Sequence, residues 1–317
     1  MEARSQQPTP EFLHNEIARL KREKNALIMA HYYQRDEIQE IADFIGDSLA
    51  LAQQAAKTDA DVIVMCGVHF MGETAKILCP EKTVLVPDLK AGCSLADSCD
   101  PAEFEKFVKE HPGYTVVSYV NTSAAVKAHT DIVVTSGNAR KIIEQLPEEE
   151  KIIFGPDHNL GEYINSVTGR NMLLWNGACH VHDRFSLEKI ADLKREHPEA
   201  KVLVHPECRR PLQLIADKVG STAALLDFAR HDDAPEYIVV TESGILFEMR
   251  KECPEKVFIP APAEDSECQC NECDFMKMNT LQKVYEALRD GKPEIKVDAE
   301  VAEKALRPIK RMLEMSK

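Results

Sequence analysis

A chain of 317 residues with 44% hydrophobic and 29% charged side chains holds enough apolar residues for two or three compact units. A formal charge of −14 and a pI near 5.3 set it against polyanions, so neither nucleic acid nor an anionic membrane is an expected partner. The longest wholly apolar runs, such as ALIMA, are far too short to span a bilayer, and MEARSQQPTPEF lacks a signal-peptide core; a cytoplasmic protein is expected. In that compartment ten cysteines do not read as a disulfide framework, so some hold metal, do redox chemistry or fill cores.

The first predicted element is a helix, with Thr9 as N-cap, Pro10 in the first turn and Leu13, Ile17 and Leu20 on one face. A strand follows in ALIMAHYYQ from Ala26, and the same pattern recurs in YTVVSYVNT from Tyr114 and AKVLVHPEC from Ala200, 88 and 86 residues on. That period is too long for a solenoid and suits small related units. The first and third match in register: HYYQ at 31 with HPEC at 205, IADFIGDSLA at 41 with IADKVGSTAA at 215, CPEK at 79 with CPEK at 253. In the middle unit DIVVTSG at 131 aligns with DVIVMCG at 61. This alignment makes DVIVMCG, DIVVTSG and EYIVVTES the second strands, and TVLVPD, KIIFGPD and KVFIPAP the third.

Near-continuous Val and Ile without polar alternation means strands covered on both faces, hence an α/β fold of three αβα units with short parallel sheets. The expected units are 1–97, 98–184 and 185–274, with C-terminal helices in 275–317 packing on the first. Of these, NTLQKVYEALRDG should be capped by Asn279 and stopped by Gly291, and Pro308 should kink or restart the last helix.

Parallel sheets bind ligands beyond the carboxyl ends of their strands. Residues i and i+2 of a strand share a face, so His31 with Tyr33, Tyr119 with Asn121 and His205 with Glu207 form a same-face pair at the end of each first strand. Each pair is either a hydrogen-bonded strand end or part of a shared site. Ser48 and Thr222 stand at matching turns into helices, where hydroxyls and free N–H groups suit an anion; N-capping by Asp47 and Ser221 is the alternative. Ser136 takes the corresponding place in the middle unit.

Cys93 in KAGCSL, Cys179 in NGACHVH and one of Cys268, Cys270 and Cys273 in ECQCNECDFM each follow the last strand of a unit. Their separations, about 86 and about 94 residues, track the repeat, so a pseudo-threefold arrangement would bring three thiolates to one point, as a cubane cluster needs. A self-contained zinc site at 268–273 would need a fourth ligand, and no His lies close by. Cys79 and Cys253 in the CPEK copies, and Cys66 on its apolar strand, read as structural. Cys208, beside HPE, has no counterpart in the other units.

Together AHYYQ, GDSL, KAGCSLADSC, YVNTSAAVKA, TSGNA, NGACHVH, HPEC, GST and CDFMKMN resemble the quinolinate synthase family over nearly the whole chain. The resemblance implies a [4Fe–4S] cluster on Cys93, Cys179 and Cys273. It also implies condensation of iminoaspartate with dihydroxyacetone phosphate, releasing phosphate and water, in NAD biosynthesis. The imine would come from an upstream L-aspartate oxidase or dehydrogenase. His31, Ser48, Tyr119, Val120, Asn121, Ser136, His205, Pro206, Glu207 and Thr222 match the family's substrate-binding positions. One departure is the spacing C-x-C-x-x-C in place of C-x-x-C-x-x-C, which puts a dithiol switch in doubt. For the chemistry, the iron without a cysteine is expected to act as a Lewis acid and Glu207 as general acid/base. Tyr33 and Tyr119 would donate to oxyanions, His31 and His205 would hold the diacid, and His182 would serve in either capacity.

Overall fold

The computed structural model describes residues 8–264 and 271–317; Cys268 and Cys270 lie outside them. Twelve strands form three four-stranded parallel sheets. The first unit has β1 (Ala26–His31), β2 (Phe44–Gly46), β3 (Val62–Cys66) and β4 (Thr83–Leu85), in the order β2-β1-β3-β4. In the second, β5 (Thr115–Tyr119), β6 (Ile132–Val134), β7 (Ile152–Gly155) and β8 (Leu173–Leu174) run β6-β5-β7-β8. The third repeats this with β9 (Lys201–Val204), β10 (Lys218–Val219), β11 (Glu236–Val240) and β12 (Val257–Pro260), ordered β10-β9-β11-β12. The expected α/β class of three helix-covered parallel sheets is what the chain adopts.

Each unit has four strands where the sequence suggested three, and this corrects the internal alignment. DIVVTSG is the edge strand β6, equivalent to β2 and β10, not to β3; KIIFGPD is β7, the true counterpart of β3 and β11. One recurring hydrogen bond makes the register plain. The carboxylates of Asp43, Asp131 and Asp217 accept the backbone N–H of Ile28, Val116 and Val202, each fifteen residues earlier, at 2.9, 2.9 and 2.7 Å. The misreading has a physical origin. β2 and β10 are half-exposed edges of three and two residues, whereas all of β6 is buried because the helix Ala299–Met315 packs over it. β6 therefore carries the apolar sequence of an inner strand.

Every sheet is buried on both faces. Leu13, Ile17 and Leu20 of the helix Pro10–Glu23 join Ile28, Val64 and the helix Leu281–Asp290 in one core. Thr9 caps the first of these helices, accepting from Phe12 N at 3.2 Å, as its sequence predicts. The second is capped by Thr280 rather than Asn279, whose amide is buried and donates to Gly67 O at 2.8 Å; Gly291 ends it with φ +65°. Pro308 does not break the last helix, which runs continuously through it. There burial of Ala305, Ile309 and Met312 in the core shared by the first two units outweighs the one backbone bond a proline removes. That helix contacts β6 and the helix Ala124–Lys127 of the second unit and the helix His69–Leu78 of the first. Among the described residues no helix is long and apolar enough to cross a membrane.

Candidate active site

The ends of the first strands make three equivalent turns. The carbonyls of His31 and His205 accept from the N–H of Gln34 and Cys208, both at 3.0 Å, while Tyr119 O accepts from Thr122 Oγ1 at 2.9 Å. These turns, not an extended pleat, bring the partner two residues on into the same cavity, so His31, Tyr33, Tyr119, Asn121, His205 and Glu207 all line it. The space between protein atoms there is about 690 Å³ with the open solvent at its mouth included. Ser48, Ser136 and Thr222 line it from the loops after β2, β6 and β10. Asp47 and Ser221 are the N-caps, accepting from Ala50 N and Ala224 N, which leaves the next hydroxyl of each loop facing the cavity. The three loops meet closely: a Cβ on Gly137 would lie 3.3 Å from Ser221 Oγ and 3.7 Å from Asp47 Oδ2. The side chains of Val120 and Pro206 do not line the cavity; their carbonyls accept from Lys127 Nζ at 2.8 Å and Gln213 Nε2 at 2.9 Å.

Cys93, Cys179 and Cys273 line the same cavity, one after the last strand of each unit. Each opens a helical turn in which its carbonyl accepts from the N–H four residues on: Asp97 at 2.9 Å, Asp183 at 2.9 Å and Lys277 at 3.1 Å. Burial pushes the Cys93 thiol up to about 12 and Cys273 to about 11, and holds Cys179 well above its usual range. Charge on the neighbouring thiols adds to the rise at Cys93 and Cys179, so the three sulfurs are close enough to feel one another. Cys66, Cys79, Cys208 and Cys253 are buried in hydrophobic cores and do not line the cavity. Cys79 and Cys253 end equivalent helices with nearly identical backbone angles, φ −131°, ψ 67° and φ −129°, ψ 65°.

A hydrogen-bonded chain crosses the three units. Tyr33 OH lies 2.7 Å from both Thr222 Oγ1 and Thr241 Oγ1, and Thr241 Oγ1 lies 2.9 Å from His182 Nε2. His182 Nδ1 stands 3.1 Å from Glu207 Oε2, and Tyr119 OH donates to Glu207 Oε1. With the His182 ring proton on Nδ1, each hydroxyl has one possible direction: Thr222 donates to Tyr33, Tyr33 to Thr241, Thr241 to His182 and His182 to Glu207. Burial alone would raise the Glu207 carboxyl, but interaction with His182 and the hydrogen bonds from His182 and Tyr119 outweigh it and hold it below its ordinary range. Burial, reinforced by the Glu207 charge, keeps Tyr119 protonated well above its ordinary value.

His31 and His205 are neutral, since burial pushes each imidazole down to about 3. The N–H groups of Tyr33 and Glu207 donate to their Nδ1 atoms at 3.2 and 3.3 Å. The ring proton therefore sits on Nε2 in both, and His205 Nε2 reaches Ser136 Oγ at 3.3 Å.

The sequence reading missed Thr241, Glu242 and Thr135. Glu242 is fully buried at the cavity wall, accepting from Gly244 N at 2.7 Å and Cys273 N at 3.1 Å and pairing with Lys277 Nζ at 3.0 Å. Burial raises its carboxyl to about 7 against the pull of Lys277. The Thr135 hydroxyl, also on the wall, has no hydrogen-bond partner among the described residues. A signal was available, because polar residues directly after a buried strand, here VVTES after β11, mark the carboxyl edge of a parallel sheet. Among the described residues no Lys or Arg lines the cavity. Buried thiols and a compact group of Cys179, His182 and Glu207 give it metal-binding capacity.

Comparison with known proteins agrees along the whole chain. A family model described as quinolinate synthetase A protein matches residues 15–314. A curated quinolinate synthase of Microcystis aeruginosa is 55% identical over 307 residues, 97% of this chain and 96% of that one. Those of Thermosynechococcus vestitus and Trichormus variabilis are 54% identical over 314 residues (99% and 98%) and 56% over 300 residues (95% and 92%). With a family model spanning nearly all of it and relatives this similar from end to end, the chain belongs to the quinolinate synthase family of enzymes.

Proposed function

We propose that this chain condenses iminoaspartate with dihydroxyacetone phosphate to quinolinate in the cytoplasm, with a [4Fe–4S] cluster held by Cys93, Cys179 and Cys273. The observation that carries the reading is that one thiol from each unit faces a cavity that Glu207, Tyr33, Tyr119 and the neutral imidazoles of His31 and His205 also line, with no Lys or Arg among the described residues of its wall. The donor set fits the group. Burial raises all three thiols, Cys273 raises Cys93 further and both raise Cys179, and a cationic iron–sulfur core supplies the positive charge that would let them ionise. Such a cluster with three cysteine ligands supplies a Lewis-acidic iron with an open position.

The chain's own groups then bind and move protons. His31 and His205 offer uncharged Nε2–H donors to the carboxylates of the diacid. Ser48, Ser136, Thr222 and the unpartnered Thr135 offer hydroxyls to an anion, beside the N-termini of the helices Ser48–Ala55 and Thr222–His231. Imine formation and loss of water each need a proton taken from one atom and given to another. Glu207, held ionised, accepts such a proton; Tyr119 and His182, bonded to its two oxygens, return one. Tyr33 is tied at both sides by threonines, which fixes its ring at the cavity wall.

Anaerobic purification with iron, sulfide and product assays on wild type and Cys93→Ala tests this. Wild type should carry iron and sulfide and form quinolinate from the two substrates, and Cys93→Ala should lose both. A colourless wild type, or product formation unaffected in Cys93→Ala, would refute it.

A further inference from the structure

Cys179, His182 and Glu207 offer one ligand atom each, and these atoms all lie within 4.8 Å of one another. His182 Nδ1 is at their centre, 3.3 Å from Cys179 Sγ and 3.1 Å from Glu207 Oε2. Thiolate, imidazole and carboxylate together form a donor set that zinc accepts, with a fourth tetrahedral position left for water. The side chains of His182 and Glu207 are only 3% and 4% exposed.

The surroundings of these donors are built like those of metal ligands. A ligating imidazole fixes its other nitrogen by a hydrogen bond; His182 Nε2 has Thr241 Oγ1 at 2.9 Å, so a ring proton placed there turns the Nδ1 lone pair to the metal. The second oxygen of Glu207 is held by Tyr119 OH. The Cys179 loop is held by its own N–H, which donates to Asp157 Oδ2 at 2.9 Å. A divalent cation with one thiolate and one carboxylate is electrically neutral, which suits a buried wall without Lys or Arg among its described residues.

We propose that Cys179, His182 and Glu207 form a mononuclear site for a borderline-soft divalent cation such as Zn2+ or Co2+, which overlaps the three-cysteine set at Cys179. The two are mutually exclusive because both require Cys179; this exclusivity, unlike the site itself, rests on the cluster reading above. Zinc bound there would also occupy the carboxylate assigned to proton transfer. Excess Zn2+ should therefore block cluster assembly and not merely slow turnover.

The test uses the full chain stripped of iron under anaerobic conditions and titrated with Co2+. Wild type should bind one ion with thiolate-to-cobalt charge transfer and tetrahedral visible bands. His182→Ala and the nearly isosteric Glu207→Gln should each weaken binding by more than about 100-fold, and Thr241→Val by about 10–100-fold. Cys93→Ser and Cys273→Ser should bind Co2+ like wild type. Loss of binding in Cys93→Ser or Cys273→Ser, or no effect of Glu207→Gln, would overturn the proposal. Iron and sulfide assembly measured in parallel separates the two readings: a chain that builds the cluster but binds no Co2+ sinks only the mononuclear site. One that binds Co2+ through the triad but builds no cluster sinks only the cluster.

Discussion

Replacing Lys127 by methionine probes how the turn after β5 is held. Lys127 is fully buried in the helix Ala124–Lys127; its Nζ donates to Val120 O at 2.8 Å and to Thr122 O, and lies 5.6 Å from the Phe70 ring centroid. The ammonium thus ties down the turn that presents Tyr119 and Asn121. Burial lowers its pKa from the ordinary 10.5 to about 8, against the opposing charge of Glu73. Below pH 8 folded and unfolded chains are both charged here, so Lys127 adds no pH dependence. Between about 8 and 10.5 the unfolded chain binds the extra proton, so stability rises with pH, and the rise ends above 10.5. At about 1.4 kcal/mol per unit, the full rise is about 3 kcal/mol. Lys127→Met removes it, so the stability of wild type minus that of the variant should grow by about 3 kcal/mol across that range. Urea unfolding of both proteins at stepped pH measures this, and groups that do not interact with Lys127 cancel in the difference. Methionine also leaves two carbonyls unpaired, so KM should rise as Asn121 loosens. A difference that stays flat from pH 8 to 10.5 would refute the argument.

Gly244→Ala should cut kcat/KM by at least about tenfold, because its Cβ would stand 2.8 Å from the Cα and carbonyl carbon of Tyr33, a backbone that cannot rotate away, and 2.8 Å from Glu242 Oε2. Gly220→Ala, whose Cβ would crowd the Ala224 side chain at 3.0 Å and meet Lys218 and Leu225 at ordinary contact distance, is the control; equal effects would remove Tyr33 placement as the cause. Tyr33→Phe leaves Thr222 and Thr241 without their shared partner and should cost about 1–3 kcal/mol in chemical denaturation. Thermal scans and metal analysis of Cys208→Ser should show lower stability, since Cys208 packs with Leu212 and Val240, yet unchanged iron; iron loss would place Cys208 nearer the metal than its core position allows.

The repeat was legible where burial is two-sided and continuous. VIVMC, IIFG and YIVV are inner strands with both faces covered, and their composition marks them as buried strands, although it did not give IIFG its place in the unit. It failed at edges. β10 is Lys218–Val219, two half-exposed residues whose place is set by pairing to Leu203 and Val204, and nothing in a dipeptide encodes that. β6 misled in the opposite sense, since its apolar content answers to a helix more than 160 residues further along the chain. The aspartates 43, 131 and 217 were the better guide. A carboxylate fifteen residues after the strand N–H that it accepts is fixed by local geometry, so it survives differences in what covers each edge.

In the candidate site, single-residue chemistry was legible and directionality was not. The histidines, tyrosines and Glu207 stand where strand ends predict, but what each can donate depends on neighbours brought in by the sheet order. Thr241 is the clearest case: a lone threonine after a buried strand, it becomes the link between Tyr33 of the first unit and His182 of the second only because β11 lies beside β9 in the third sheet. The same holds for charge. A site for a diacid and a phosphate suggests lysines or arginines, yet Lys277, at its edge, is committed to Glu242 and Tyr33 O, at 3.0 and 2.9 Å. Under the proposed function, anion binding would be left to N–H and O–H dipoles and to the cation that the thiols are proposed to hold. Substrate affinity should therefore depend on metal loading more steeply than in a pocket that carries its own fixed positive charge.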